Sequence, residues 1–314
     1  MRYPGQSPDG TLRLTRRSVL GAGAGLILTR RSFAQAGQPA AVGYTTFDRK
    51  PVQLRPFVGR NIALLLDPAR VTDRVVIDRI LSAVDRAWDW YRGYFGRAPA
   101  TSSTYAGKTT IAEVSGTCGA ACGLLGYTGI EISSETMNRL LIEANQDRYN
   151  QAVFYELGRN FWFFADQLQA MPKGAFTTGF AHVHRFYAME AAGIVGAPWD
   201  DNLDFDGFRH AILVELLDRY LADSSLSWQN TIGVDKLPSG SPDWMSGAHL
   251  GAAFFHRIRR DHGHLGYRRF WQLMAMAPKA ATPKDAAARF VQVARAATSE
   301  DYRALLRDMS LPLT

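Results

Sequence analysis

The sequence predicts an α+β protein with a small sheet in its first half and helices throughout its second half. Two patterns indicate this arrangement. Short apolar runs with strand-like composition occur before residue 134, and apolar side chains at helical spacing dominate from residue 150 onward. The chain has 314 residues, of which 46% are hydrophobic and 21% are charged. This composition is typical of a globular protein and argues against intrinsic disorder and collagen-like or coiled-coil structure.

The first half is expected to alternate strands with helices. Its first strand is an apolar run that ends at Asp67-Pro68, and its first helix keeps helical spacing until Gly96. The second helix has a polar start at Ser134-Glu135. The expected order is a linker at residues 37–46, a strand at 61–66, a helix at 75–94, strands at 109–114 and 126–133, and a helix at 134–144.

The second half is expected to contain helices without strands. We therefore expect an α+β subdomain at residues 37–165 and a helical subdomain at residues 166–314. The helices that the periodicity predicts are residues 150–168, 176–192, 205–221, 246–262, 267–277, 284–297 and 299–307.

The first 36 residues are expected to be a signal. They hold six arginines and one aspartate, a surplus of five positive charges, and they end in the small-residue stretch Ala34-Gln35-Ala36. Arg16-Arg17 precedes a weakly apolar, Gly- and Ala-rich stretch, and this arrangement resembles a twin-arginine signal. The resemblance implies export of a folded protein to the periplasm or the exterior.

The remaining residues have little excess charge. The whole chain has a net charge of +7, so about +2 is left once the predicted signal is removed. We therefore expect no nucleic-acid partner. The apolar run at residues 18–29 is too short to span a bilayer, and no membrane-spanning segment is expected in the mature chain.

Two cysteines, Cys118 and Cys122, flank a short Gly- and Ala-rich segment. In an oxidising compartment they are expected to form a local disulfide. A metal site would need further ligands, because no second cysteine pair is present. A redox-active pair more often has two intervening residues, and here there are three.

One predicted helix carries charged residues within an aromatic segment. Glu156 and Arg159 lie three residues apart, and Tyr155 directly precedes Glu156. Nineteen residues after Arg159 comes Thr178, which a Gly-Phe-Ala tripeptide follows.

This pattern resembles the active-site helix of gluzincin-type metallopeptidases. In that family two histidines one turn apart bind zinc and the glutamate between them is the general base. A later glutamate, often followed by Gly-Phe-Ala, is the third ligand. Glu156 matches the base, whereas Tyr155, Arg159 and Thr178 occupy the three ligand positions. The resemblance implies a zincin-like fold, in which a small sheet carries this helix and a mostly helical lobe closes the other side of a cleft.

The three substitutions remove the chemistry that binds zinc. A tyrosine phenol has a pKa near 10, a guanidinium has no lone pair to donate, and a threonine hydroxyl is neutral. We therefore expect zinc to be lost, and the chain to be an exported pseudopeptidase that binds a peptide or glycan in the old cleft. His182 and Arg185 lie at i+4 and i+7 from Thr178 and share its helix face, whereas His184 points elsewhere. The expected ligand contacts are Tyr155, Glu156, Arg159, Thr178, His182 and Arg185.

Two other functional classes remain open at this stage. An active hydrolase would need a displaced metal, held for example by Glu156 and His182, or metal-free acid–base chemistry by Glu156 and Tyr155. The third class is a structural protein of the cell envelope that binds no ligand. Whether Tyr155, Glu156 and Arg159 face an open cleft or a packed core distinguishes these classes.

Overall fold

A mixed sheet of seven strands forms the first part of the described chain, which comprises residues 39–313 of this computed structural model. The predicted signal at residues 1–36 lies outside the described residues. The strands are β1 (Val42–Thr45), β2 (Pro51–Val58), β3 (Ile62–Leu66), β4 (Thr104–Tyr105), β5 (Lys108–Val114), β6 (Ala121–Gly123) and β7 (Ile130–Ser133).

The strand order is β1-β2-β3-β5-β7-β6, with β4 paired to β5. Strands β3, β5 and β7 run parallel, and β2 and β6 run antiparallel to their neighbours. Because parallel strands need crossover connections, helices pack beside this part of the sheet. Strand β6 ends the described strand order, next to the helix that carries Glu156.

Strand β3 shows how the sheet divides the core. All five of its residues are buried. Ile62, Leu64 and Leu66 pack with the helices on one face, and Ala63 and Leu65 pack in a smaller cluster on the other face. The side-chain period of two in a strand accounts for this alternation.

Helices make up the rest of the fold, so the chain is a mixed α/β protein with a small sheet and many helices. Among the described residues, none of these helices is both long and apolar enough to cross a bilayer. The helices are α1 (Arg74–Phe95), α2 (Ser134–Asn145), α3 (Gln151–Asn160), α4 (Ala165–Leu168), α5 (Ala175–Ala191), α6 (Phe205–His210), α7 (Leu216–Ala222), α8 (Gly247–Met274), α9 (Pro283–Thr298) and α10 (Arg303–Leu306), with a 3₁₀ turn at Pro172–Gly174 and a π-helical turn at Ala211–Glu215.

Helices α5 and α8 cross closely at the centre of the helical part. A Cβ atom at Gly179 of α5 would lie 2.8 Å from the amide nitrogen of Ala252 and 2.9 Å from the carbonyl oxygen of Ala248, both in α8. Only glycine permits this approach. The crossing places the N-terminal turns of α8 against the α5 face that carries the predicted site residues.

The structure differs from the prediction in several segments, among them the expected linker, the helix that carries Glu156 and α8. The expected linker at residues 37–46 contains β1, and β2 follows it, because β1 pairs antiparallel with β2 and β2 pairs antiparallel with β3. The helix expected at 150–168 ends at Asn160, whose side chain donates hydrogen bonds to two backbone carbonyls beside β6 and β7. The two helices expected at 246–262 and 267–277 are one element, α8, interrupted at Gly263, where φ is 67°.

Candidate functional site

Helix α3 carries three of the predicted site residues. The side chain of Asn150 caps its first turn by accepting a hydrogen bond from the amide of Ala152. Glu156 is buried, and Tyr155 and Arg159 are partly exposed. On this helix the carboxyl group of Glu156 is therefore buried, whereas the side chains of Tyr155 and Arg159 reach the protein surface.

Glu156 and Arg159 attach α3 to strand β6. The amide of Gly123 donates a hydrogen bond to Oε2 of Glu156 at 2.6 Å, and Nε of Arg159 donates one to the carbonyl oxygen of Gly123 at 3.2 Å. The Nε atom of Arg159 also lies 3.3 Å from Oε2 of Glu156. One backbone unit of the strand thus binds both charged side chains of the helix.

The carboxyl group of Glu156 is a weaker acid than a glutamate side chain in water. Burial raises its pKa from 4.5 to about 7, because the charged form loses its hydration. The positive charge of Arg159 and the hydrogen bond from Gly123 act in the opposite direction and are smaller effects. Glu156 consequently exchanges a proton near neutral pH.

Helix α5 supplies the next two residues of the site. The rings of His182 and Tyr155 lie 4.8 Å apart, measured between their centroids. Burial raises the pKa of Tyr155, and the charge of Glu156 adds to this rise, while hydrogen bonds from Arg159 and Thr178 oppose it. The Tyr155 hydroxyl is therefore protonated at neutral pH and lies beside both Arg159 and Thr178.

His249 of α8 belongs to the site and was missed by the sequence analysis. Its ring centroid lies 4.1 Å from that of His182. The Nδ1 atom of His249 accepts a hydrogen bond at 2.9 Å from the amide of Ser246, the residue that caps α8. This bond assigns the proton to Nε2. The Ser246-x-x-His249 spacing at a helix start was the available signal, but it indicates a cap and not a binding site.

Both histidines are neutral. Burial lowers the pKa of His249 to about 3, and the nearby Arg185 adds to this effect. Burial also places the pKa of His182 well below 6.5, with the charges of Arg185 and Arg159 contributing. The Nδ1 atom of His182 makes no hydrogen bond to any described residue.

Arg185 is a buried cation without a carboxylate partner among the described residues. Its side chain is 4% exposed, and its Nε and Nη2 atoms make no hydrogen bond within the described chain. The guanidinium lies 4.7 Å from the ring centroid of Phe186, 4.8 Å from that of Phe208 and 5.8 Å from that of Tyr155. Burial lowers the pKa of Arg185 to about 9. Aromatic faces thus contact this cation, and two of its donor groups remain unused.

His184 lies apart from these residues, although it is on the same helix. It is fully buried, and its Nδ1 atom lies 2.9 Å from the carbonyl oxygen of Phe180. Its ring stacks on Tyr267 with centroids 5.5 Å apart. His184 is therefore part of the aromatic core between α5 and α8.

The three positions matched to zinc ligands in the sequence analysis do not carry donor atoms that suit zinc. These positions hold Tyr155, Arg159 and Thr178. The positively charged side chain of Arg159 lies 3.3 Å from the carboxylate of Glu156. Zinc prefers neutral imidazole nitrogen, thiolate or carboxylate ligands. The described residues contain no group of three or more His, Cys, Asp or Glu side chains arranged to hold a metal ion.

Cys118 and Cys122 are joined in a disulfide. Cys122 lies in β6, one residue before Gly123, and pairs with Glu131 of β7. The disulfide therefore closes a short ring directly before the backbone unit that binds Glu156 and Arg159.

Comparison with known sequences found no counterpart. No family model matches the chain, and no curated protein matches it.

Comparison with solved structures found distant neighbours. Two crystal structures of a functionally unknown conserved protein from Bacillus anthracis str. Ames, one of them a mutant, align with TM-scores of 0.53 and 0.54 at 9% and 10% identity. An aminopeptidase N family protein from Idiomarina loihiensis aligns with a TM-score of 0.47 at 15% identity. Each alignment covers 83% of this chain and 47–49% of the neighbour, so the chain spans about half the length of these structures. The two Bacillus structures share the mixed α/β fold.

Proposed function

We propose that the chain is an exported, zincin-like pseudopeptidase that binds a peptide or glycan beside α3 and α5 without hydrolysing it. The observation that carries this proposal is the attachment of both Glu156 and Arg159 to Gly123. A general base in zinc-dependent hydrolysis takes a proton from a metal-bound water. Here Oε2 of Glu156 already accepts a backbone hydrogen bond, and the cation beside it is a guanidinium.

The charge of Arg159 opposes a divalent metal at the same place. A guanidinium and a zinc ion about 4 Å apart repel by about 8 kcal/mol at an effective dielectric constant near 20. Tyr155 and Thr178 add only neutral hydroxyl groups to the site. The proposal therefore includes the loss of zinc and of the hydrolysis that a zinc-bound water performs.

The remaining polar groups suit a ligand that accepts hydrogen bonds. The hydroxyls of Tyr155 and Thr178 and the unused N–H groups of Arg185 are donors. Peptide carbonyl and carboxylate oxygens and sugar hydroxyl oxygens are matching acceptors. Because His182 and His249 are neutral, they add hydrogen-bonding capacity without further positive charge.

Export is supported by two independent features. Arg16-Arg17 and the apolar stretch after it resemble a twin-arginine signal. The disulfide between Cys118 and Cys122 is of a kind that persists in oxidising compartments.

Metal content tests the central part of this proposal. The purified mature chain is exposed to zinc, dialysed and measured by elemental mass spectrometry. Less than roughly one tenth of an equivalent is expected, and one tightly held equivalent would overturn the proposal. A variant with Tyr155→His, Arg159→His and Thr178→Glu restores a zinc donor set and serves as the positive control.

Ligand binding is tested separately from metal binding. Immobilised peptides and glycans are incubated with wild type, and both retention of the protein and cleavage products are measured. We expect retention without cleavage, and weaker retention of the Thr178→Val and Arg185→Met variants. Retention that these two substitutions leave unchanged would place the binding surface elsewhere.

A metal-free hydrolase is the second candidate, and the pKa of Glu156 favours it. A carboxyl group with a pKa of about 7 is matched to general acid–base catalysis near neutral pH. If this function holds, wild type cleaves a peptide or glycoside in the presence of a chelator and Glu156→Gln lowers the rate by at least about a hundredfold. Equal rates in both proteins would exclude Glu156 as the catalytic acid or base.

A further inference from the structure

A pocket lies between α5, α6, the π-helical turn and α8, and it shares no residue with the candidate site around Tyr155. Its volume is about 670 Å³. This size falls within the range of small-molecule sites in proteins. The lining residues that matter for its chemistry are Tyr187, Arg209, Leu213, Val214, His256 and Arg259.

The π-helical turn forms the apolar wall of this pocket. It spans Ala211–Glu215, and two of its residues, Leu213 and Val214, line the pocket. Leu213 is buried and Val214 is partly exposed. π-helical turns are rare and occur frequently at functional sites, because they move a side chain out of regular helical register.

Tyr187 and His256 set the hydrogen-bonding character of another wall. The hydroxyl oxygen of Tyr187 lies 2.7 Å from Nδ1 of His256. Burial raises the pKa of Tyr187 and lowers that of His256 to about 4, so the phenol keeps its proton and donates a hydrogen bond to Nδ1 of the neutral imidazole. The remaining proton of His256 is then on Nε2, which makes this histidine a hydrogen-bond donor.

Two arginines that share one carboxylate line the pocket. Arg209 and Arg259 approach the same carboxylate, Glu190, at 3.5 and 3.4 Å. Arg260 also lines the pocket, but its guanidinium pairs with Asp261 at 2.9 Å, and Asp206 is the second carboxylate among the lining residues. The cationic part of the wall is therefore the pair Arg209 and Arg259, two guanidinium groups that share the single carboxylate of Glu190. The guanidinium of Arg259 is held 3.7 Å from the ring centroid of Tyr187, which fixes its place in the wall.

We infer that this pocket binds a small organic anion, with its apolar body against Leu213, Val214 and Tyr187 and its anionic oxygens at Arg209, Arg259 and His256. Two guanidinium groups that share one carboxylate, together with the N–H donor of His256, select for an anion. The apolar wall selects for a molecule with a hydrocarbon or aromatic part, in contrast to inorganic phosphate or sulfate. Two arginines sharing Glu190 can each turn one N–H group toward a carboxylate, sulfonate or phosphate group.

The test uses anilinonaphthalene sulfonate, an aromatic sulfonate whose fluorescence rises when it enters an apolar site. Titration of the mature chain is expected to show saturable binding of one probe molecule. Arg209→Gln and Arg259→Gln each weaken that binding by about tenfold, because each removes a charge-assisted contact. Val214→Trp fills the apolar wall and is expected to abolish binding. Arg269→Gln, on the exposed surface of α8 and outside the pocket, is the matched control and leaves binding unchanged.

Circular dichroism and thermal unfolding of each variant separate loss of the site from loss of the fold. Arg209→Gln is expected to disturb the fold less than Arg259→Gln, because 40% of the Arg209 side chain is exposed. Equal affinity in wild type, Arg209→Gln and Val214→Trp would overturn the inference. Absence of saturable binding to folded wild type would do the same, and so would an equal loss of binding in the Arg269→Gln control.

Discussion

Gly123 of β6 and Glu156 of α3 are so close that their backbones leave no space for a side chain between them. A Cβ atom at Gly123 would lie 2.6 Å from the carbonyl oxygen of Glu156 and 2.9 Å from its Oε2 atom. This approach allows the amide of Gly123 to reach the buried carboxylate and the carbonyl of Gly123 to reach Arg159. The position of strand β6 and the positions of the charged groups of Glu156 and Arg159 therefore depend on each other.

Gly123→Ala is expected to destabilise the protein by about 1–3 kcal/mol, because the added methyl group forces β6 away from α3. The measurement is the free energy of unfolding in urea. Gly93→Ala in α1 is the matched control, since a Cβ there meets no described heavy atom within 4 Å. The free energy of unfolding of this control variant is expected to rise by about 0.5–1 kcal/mol. Equal effects at the two positions would contradict the close packing of β6 on Glu156.

Glu156→Gln is expected to gain stability relative to wild type as the pH rises from about 5 to about 8. Because burial raises the folded-state pKa of Glu156 from 4.5 to about 7, the folded chain holds a proton that the unfolded chain releases above pH 4.5. The contribution of Glu156 is therefore fully present below pH 4.5 and is lost as the pH rises through about 7. Glutamine has no proton to lose. Urea unfolding of both proteins across this range checks the prediction, and a difference that is constant with pH would refute it.

Arg185→Met is expected to raise the free energy of unfolding by about 1 kcal/mol, because it removes a buried charge that lacks an anionic partner among the described residues. The same variant loses the donor groups proposed to bind the ligand. Arg92→Met is the matched control, since Arg92 is exposed and lies 5.7 Å from the ring centroid of Trp88. It should change stability by less than about 0.5 kcal/mol. If Arg185→Met lowers the free energy of unfolding by more than about 1 kcal/mol, the aromatic rings around Arg185 stabilise its charge in the absence of a ligand.

Replacing Cys118 and Cys122 together with serine is expected to lower the free energy of unfolding by about 2 kcal/mol, which is the loop-closure value for a ring of this size. Wild type measured in the presence of a reductant should show a similar loss. Because the ring directly precedes Gly123, the double variant should also bind the proposed ligand less tightly. Unchanged stability in both experiments would mean that the ring does not constrain the unfolded chain.

Helix α1 shows what local sequence could predict. Its predicted range, 75–94, differs by one residue at each end from the observed Arg74–Phe95. Asp73 caps its start, and Gly96 ends it in the left-handed conformation, so both boundary signals are local. Strands β1 and β2 were missed because β1 is ordered by pairing with β2 and β2 by pairing with β3, and because β2 contains prolines that weaken a strand prediction.

The candidate site was predictable only where its residues share a helix. Spacing of three or four residues predicted that Glu156 and Arg159 would meet, and that His182 would lie on the same face as Thr178. His249 could not be found in this way, because its contact with His182 arises from the crossing of α5 and α8. Local patterns also could not predict the attachment of Glu156 to Gly123, since they indicated no strand at the position of β6.

The π-helical turn at Ala211–Glu215 has a consequence for changes in the length of the chain around it. A π-helical turn holds one residue more than an α-helical turn, so it has the form of a single-residue insertion absorbed within a helix. Phe208 before it and Leu217 after it both remain in the core. Deletion of one residue in this turn is therefore expected to leave the flanking helices in register, with Phe208 and Leu217 still in the core.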